Sequence, residues 1–250
     1  MSACGLCLKE APLAKSHIFP EFFFKSSYDK AHKFNEFRRG KNEYNKRQSK
    51  GYRERLLCPE CESLLNENYE DYSKTVLYDQ IIPHFETNKS PFKLAEYKYD
   101  NFKLFSLSLI WRASISKHEF FEAVSLGPKY EEELRKYLLK GSVPAKGRFP
   151  IAIGRAHLNG LVAEATSIPP FRRRLKENQK TVYSFIIDGF QFFIGIGNAV
   201  LPLESVTPEI LQIGMSNLME LDEFRNLFDE LKREGKFSIY ENSSSTPLTT

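Results

Sequence analysis

Apolar positions along this chain keep two different periods. From Pro59 onward, Leu65, Tyr69, Tyr72 and Val76 recur at i, i+4, i+7 and i+11, the spacing of one buried helical face. Glu62, Asn66 and Glu70 line another face, and Pro83 is the expected end of the helical region. Between Asn101 and Ala123 the pattern loses its polar side: Phe102, Phe105, Leu109, Ile110, Trp111 and Ile115 predict a helix buried all round. Gly127-Pro128 opens a further amphipathic helix through Tyr130, Leu134, Tyr137 and Leu138, with Gly141 as its stop. Beyond residue 145 the period shortens to that of strands, at 148–155, 161–165, 181–187, 190–196 and 210–215. Asp188-Gly189 between two of them is a hairpin signal, because Gly supplies the positive φ that the turn requires. Leu221, Phe224, Phe228 and Leu231 predict a last amphipathic helix that stops at Gly235, and the Ser/Thr-rich residues 242–250 a frayed tail. The expected class is α+β: a metal module, a helical segment and an antiparallel β-sheet with a C-terminal helix.

The first third is punctuated by cysteine rather than by periodicity. All four cysteines fall in two pairs, Cys4-Gly5-Leu6-Cys7 and Cys58-Pro59-Glu60-Cys61. Two C-x-x-C pairs supply the four thiolates of a tetrahedral zinc site from two tight turns. Leu13 to Phe24 reads as extended, with Pro20 keeping Phe19 out of the helical region, and Glu21 to Lys25 as the start of a short helix. Tyr52 to Leu57 reads as a strand that runs into Cys58. Pro59 suits the first helical position, which puts Cys61 and Glu62 in a first turn whose free N–H groups favour anions. The competing reading of the cysteines is disulfide pairing. It suits the spacing less well, and the N-terminus carries no apolar export signal. A reducing cytoplasm is the expected compartment.

Composition adds limits. In 250 residues, 41% hydrophobic and 27% charged, no apolar run approaches the ~20 residues of a membrane span, so no membrane partner is expected. Net charge is only +4, but eleven Lys/Arg face four acids between Lys25 and Arg55. That surplus of seven, rich in Asn, Gln and Ser, reads as a mobile basic loop. It is either a solvated surface or a phosphate-binding patch. Arg38, Arg39, Lys46, Arg47, Arg53 and Arg55 are its candidate nucleic-acid contacts.

The order of knuckle, two strands and a helix whose first turn carries the second cysteine pair resembles a treble-clef zinc fold. With Ser16-His17-Ile18-Phe19-Pro20 in the first strand and Leu56-Leu57-Cys58-Pro59-Glu60-Cys61-Glu62 after the second, it resembles the HNH, or ββα-metal, nuclease superfamily, in its endonuclease VII-like branch. The likeness covers about the first third. Trp111-Arg112-Ala113-Ser114 and Ser125-Leu126-Gly127-Pro128 resemble bacterial proteins of unassigned function. The resemblance implies hydrolysis of a phosphodiester by one divalent metal, Mg²⁺ or Mn²⁺, with structural Zn²⁺ on Cys4, Cys7, Cys58 and Cys61. His17 then matches the general base, and Glu62 the ligand of the catalytic metal. Three positions depart from the family pattern. Ser16 stands where an acidic ligand is usual, the position of the family's middle Asn falls near Arg53, and the basic insertion is long.

Each candidate has a plainer reading. His17 can be a buried hydrogen-bonder, and Glu62 can answer the helix dipole alone. His84 and His118 read as structural or surface. His157 stands in an expected loop, and Arg172-Arg173-Arg174 with Lys176 read as surface salt-bridgers. The expected organisation is a metal module at 1–82, a helical segment at 83–145, a β region with its helix at 146–241 and a tail at 242–250. Three functions follow. One is an HNH-like endonuclease on DNA, in bacterial defence against phage or mobile DNA as the resemblance implies. Another is a catalytically inactive zinc module that binds nucleic acid or a protein partner, a second copy of the chain included. The third is a zinc staple with no further role.

Overall fold

A computed structural model of the chain describes residues 2–28, 30, 33–36, 46–49, 51–87, 90–158, 161–162, 167–175, 179–218 and 225. The expected helix at 221–235 lies outside them except at Arg225, which is helical, and the tail at 242–250 lies wholly outside. The chain begins with short antiparallel ladders. β1 (Ser2–Ala3) pairs with β2 (Glu10–Ala11) around the first cysteine pair. β3 (Lys15–His17) ends three residues short of a 3-10 turn at Glu21–Ser27. Within the basic insertion, β4 (Lys33–Glu36) pairs with β5 (Lys46–Ser49), so these residues form a hairpin ladder and not the expected loop. Its register sets Glu36 opposite Lys46. β6 (Arg53–Arg55) then pairs with β3 and places Arg53 opposite His17.

Helix α1 runs without a break through residues 59–87. Cys61, Leu65, Tyr69, Ser73, Leu77, Ile81 and Phe85 are all buried along it, a period of four rather than 3.6. A regular α-helix turns ~100° per residue, so a stripe of that period would drift by about 40° per repeat. Two π-helical stretches, Asn66–Glu70 and Thr75–Ile81, slow the turning and keep the stripe on one side. Pro83 does not close the helix. It lies within the final turns, Ile82–Thr87, just after the wide π stretch, where the carbonyl that its ring would meet in a tight α-turn is displaced.

β7 (Phe92–Leu94) precedes α2 (Tyr99–Ile115), which is buried from Phe102 through Ala113 as its all-round pattern implies. α3 (Pro128–Lys140) starts after Gly127 and stops at Gly141, whose φ of 68° is the left-handed cap. The remaining strands are β8 (Ile151–Leu158), β9 (Leu161–Val162), β10 (Ile168–Arg174), β11 (Thr181–Ile187), β12 (Phe190–Gly195) and β13 (Leu211–Asn217). They order as β10-β11-β12-β8-β13-β7, with β9 on β8. The sheet is mixed rather than antiparallel throughout, because β13 runs parallel to β8. Sequence periodicity missed β10, since Pro169-Pro170 argues against a strand. Its place at the sheet edge tolerates proline and charge. One continuous apolar core joins Cys4 and Leu6 to Ile213. The phenylalanines of the 3-10 turn reach into it. Phe22 and Phe23 lie 6.2 Å from Phe105 of α2, and Phe23 lies 6.4 Å from Phe192 of β12.

Candidate functional site

The tight turn after β1 and the first turn of α1 bring four sulfurs together. The Sγ atoms of Cys4, Cys7, Cys58 and Cys61 all lie within 4.8 Å of one another. All four cysteines are free thiols, which removes the disulfide reading. Cys7 and Cys58 Sγ are 3.8 Å apart. A tetrahedron with Zn–S of ~2.3 Å has edges of about 3.8 Å, so the cage suits zinc. Local geometry holds it. Gly5 N–H donates to Leu56 O at 2.9 Å, and a Cβ on Gly5 would lie 3.0 Å from Ile115 Cδ1. Cys58 N–H donates to Cys4 Sγ at 3.3 Å. Burial raises the Cys4 thiol, yet this donor and its neighbours bring it down to about 7. Burial pushes Cys58 up to about 11, and Cys61 is raised for the same reason. Of Cys4, Cys58 and Cys61, Cys4 is therefore the readiest to lose its proton to a metal. Outside the cage, Arg135 of α3 donates to Leu6 O at 2.7 Å and sets a positive charge near Cys7.

His17 leaves the same scaffold at the end of β3. Ser16 is fully buried, and its Oγ accepts the Leu57 N–H at 3.2 Å, so its hydroxyl closes the hairpin against the helix start. The His17 imidazole is 19% exposed. Arg53, its register partner on β6, donates Nε–H to His17 Nε2 at 2.7 Å. Glu21 stands four residues on, with Oε2 4.0 Å from His17 Nε2 and Oε1 3.5 Å from Arg53 Nη2. Behind the ring, Gly51 at φ +67° keeps the chain against Phe24 and His17. A Cβ there would lie 2.9 Å from Phe24. On the protein side, Arg112 of α2 donates to His17 O at 2.9 Å and pairs with Glu70 Oε1 at 2.8 Å. Burial raises the Glu70 carboxyl above its ordinary range, with the Arg112 guanidinium pulling it back. Glu62 has one carboxylate oxygen, Oε2, that is buried with no hydrogen-bond partner among the described residues.

No other group of three or more His, Cys, Asp or Glu gathers at metal-binding distance among the described residues. Arg55 is exposed and donates to Leu13 O at 2.8 Å. Arg38 and Arg39 lie outside the described residues. Lys46 and Arg47 are described only as β5 backbone. Arg172, Arg173 and Arg174 lie on the edge strand β10. His118 Nδ1 accepts the Phe120 N–H and caps a 3-10 turn, and His84 Nε2 bonds Ser90 O. His157 lies on β8 rather than in a loop. Sequence reasoning passed over Glu21 and Arg112 as site neighbours, and it took Glu70 as a helper to Glu62 at a metal, whereas the structure pairs Glu70 with Arg112. The i+4 spacing of Glu21 from His17 was visible, but only the 3-10 turn turns it back onto the ring. Compared with protein-family models, with curated proteins and with solved structures, the chain matches none. Among the described residues no helix is long and apolar enough to cross a membrane.

Proposed function

We infer that this chain is a zinc-stapled, HNH-like treble-clef module that acts on nucleic acid, as an endonuclease hydrolysing DNA phosphodiester bonds. The observation that carries the reading is the placement of His17. The four-cysteine cage clamps the start of α1 to the turn ahead of β3. That leaves one partly exposed imidazole beside a carboxylate and an arginine. His17 Nε2 would take a proton from water as the water oxygen bonds to phosphorus and the P–O ester bond breaks, the leaving oxygen taking its proton from solvent. Arg53 would bind a phosphate oxygen. Glu62 is the residue that fits a Mg²⁺ or Mn²⁺, because its buried Oε2 lacks a partner and such ions need only one or two carboxylates besides water and phosphate. Bound there, the cation would neutralise charge developing on the phosphate. Ser16 takes no part, its hydroxyl being engaged by Leu57. A role in bacterial defence belongs to the same reading.

One observation favours a second reading, a non-catalytic module that binds nucleic acid or a protein partner: Arg53 already holds the lone pair a general base would need. Nicking of supercoiled plasmid with Mg²⁺, Mn²⁺ or EDTA separates the two. Metal-dependent nicking that falls about 100-fold or more in His17→Ala, at unchanged zinc content, supports the endonuclease. DNA binding that weakens steeply with salt, without nicking, supports the binding module. Neither activity leaves only the staple.

A further inference from the structure

We propose that Arg53 is a phosphate-operated latch on His17, with Glu21 as the group that receives the imidazole when the latch opens. This rests on the nucleic-acid reading above. A guanidinium has no lone pair to offer, so in the Arg53–His17 contact the imidazole Nε2 is the acceptor and the ring proton sits on Nδ1. In that state the nitrogen that should take a proton from water is already occupied.

The latch is poised to open for three physical reasons. First, its bond is to a neutral ring. A guanidinium bonds an anionic phosphate roughly twice as strongly as a neutral acceptor, and with two parallel N–H groups. Second, the other hold on Arg53 among the described residues is weak. Glu21 Oε1 lies 3.5 Å from Arg53 Nη2, with 39% and 29% of the two side chains exposed, and a solvated ion pair of that kind resists displacement little. Third, Glu21 Oε2 stands 4.0 Å from the same nitrogen that Arg53 covers. When Arg53 leaves, that carboxylate is beside Nε2 to stabilise the imidazolium formed by proton uptake from water. The three groups keep this order because of the backbone. Arg53 is the register partner of His17, and Glu21 is turned back by the 3-10 turn whose phenylalanines are anchored in the core. The histidine is therefore a base only while a phosphodiester occupies Arg53, which protects the chain's site from idle proton exchange.

Long-range ¹H–¹⁵N correlation of histidine-labelled, zinc-loaded full-length protein reads the Nε2 state directly. The free protein is expected to show the Nδ1–H tautomer with a hydrogen-bonded Nε2. A saturating DNA dodecamer duplex, or diethyl phosphate at high concentration, moves the Nε2 signal. Arg53→Gln shows the moved signal without any ligand, gains nothing from DNA, and binds DNA about tenfold more weakly. A wild-type Nε2 signal unchanged by both ligands overturns the latch, and that titration stands even if the variant fails to fold. DNA bound, by anisotropy, without an Nε2 change also overturns it while leaving nucleic-acid binding intact. A shift with diethyl phosphate but no DNA binding sinks the nucleic-acid reading and supports the latch.

Discussion

At the scale of single residues, two arginines decide what the histidine strand can do. Arg53 covers the imidazole from the solvent side. Arg112, 1% exposed, ties the His17 carbonyl to Glu70 from the protein side and also donates to Ser108 Oγ at 3.2 Å. A buried guanidinium of this kind earns little net stability but is costly to remove alone, because its carboxylate is left behind. Arg112→Met is therefore expected to lower the unfolding free energy by ~3–5 kcal/mol in urea titrations. The double variant Arg112→Met/Glu70→Met should recover most of that loss. A single variant as stable as wild type would show that Glu70 is already neutral in the folded chain. Neither arginine's role was legible in its spacing. Arg53 is two residues from Arg55, yet one faces His17 and the other Leu13 O.

At the scale of elements, the cysteine knuckle and the start of α1 form one unit. Leu6, Cys4 and Cys61 all belong to the common core, and Tyr69 of α1 bonds Leu138 O of α3 at 2.8 Å. Loss of a cage ligand should consequently be felt beyond the knuckle. Cys58→Ala is expected to release the metal and to cost the fold a large part of the ~10 kcal/mol that a structural zinc contributes. Metal analysis together with hydrogen exchange over residues 2–28 and 51–65 checks this. Full metal content in the variant would remove the cage as the staple. The elements themselves were largely visible from pattern: the cysteine pairs, α2 and α3, and the Asp188-Gly189 hairpin, whose β11 matches its expected limits of 181–187. Those that were not visible share a cause. β10 hides behind two prolines that only an edge position allows. The four-residue stripe of α1 was read at 3.6 because π-helical turns leave no signature of their own.

For the whole molecule, the notable ledger is protonic. Burial raises the hydroxyls of Tyr69, Tyr78, Tyr97 and Tyr99 above their ordinary value, Tyr99 to about 12. An unfolded chain gives up these protons near pH ~10, while the folded chain keeps them. Above that pH the native state therefore binds more protons than the unfolded one, and stability falls as pH rises. Lys103, depressed by burial, works in the opposite sense, but only below its unfolded value of ~10.4. The expected outcome is a Tm that holds through pH 7–9 and drops steeply above about 10. A Tm at pH 11 equal to that at pH 8 would mean that these hydroxyls titrate as if exposed.

The order of residues alone determined the two C-x-x-C pairs, the mixed helix and sheet content, the buried character of α2 and the main turns. Each of these is set by neighbours a few positions apart: ligand spacing, hydrophobic period, a Gly at a required φ. Only the tertiary structure decided that Ser16 is a buried hydrogen-bond acceptor, that Glu21 and Arg53 meet at one imidazole nitrogen, and that β13 runs parallel to β8. Those outcomes depend on groups far apart in sequence being brought within about 3–4 Å, and no local pattern encodes such a distance.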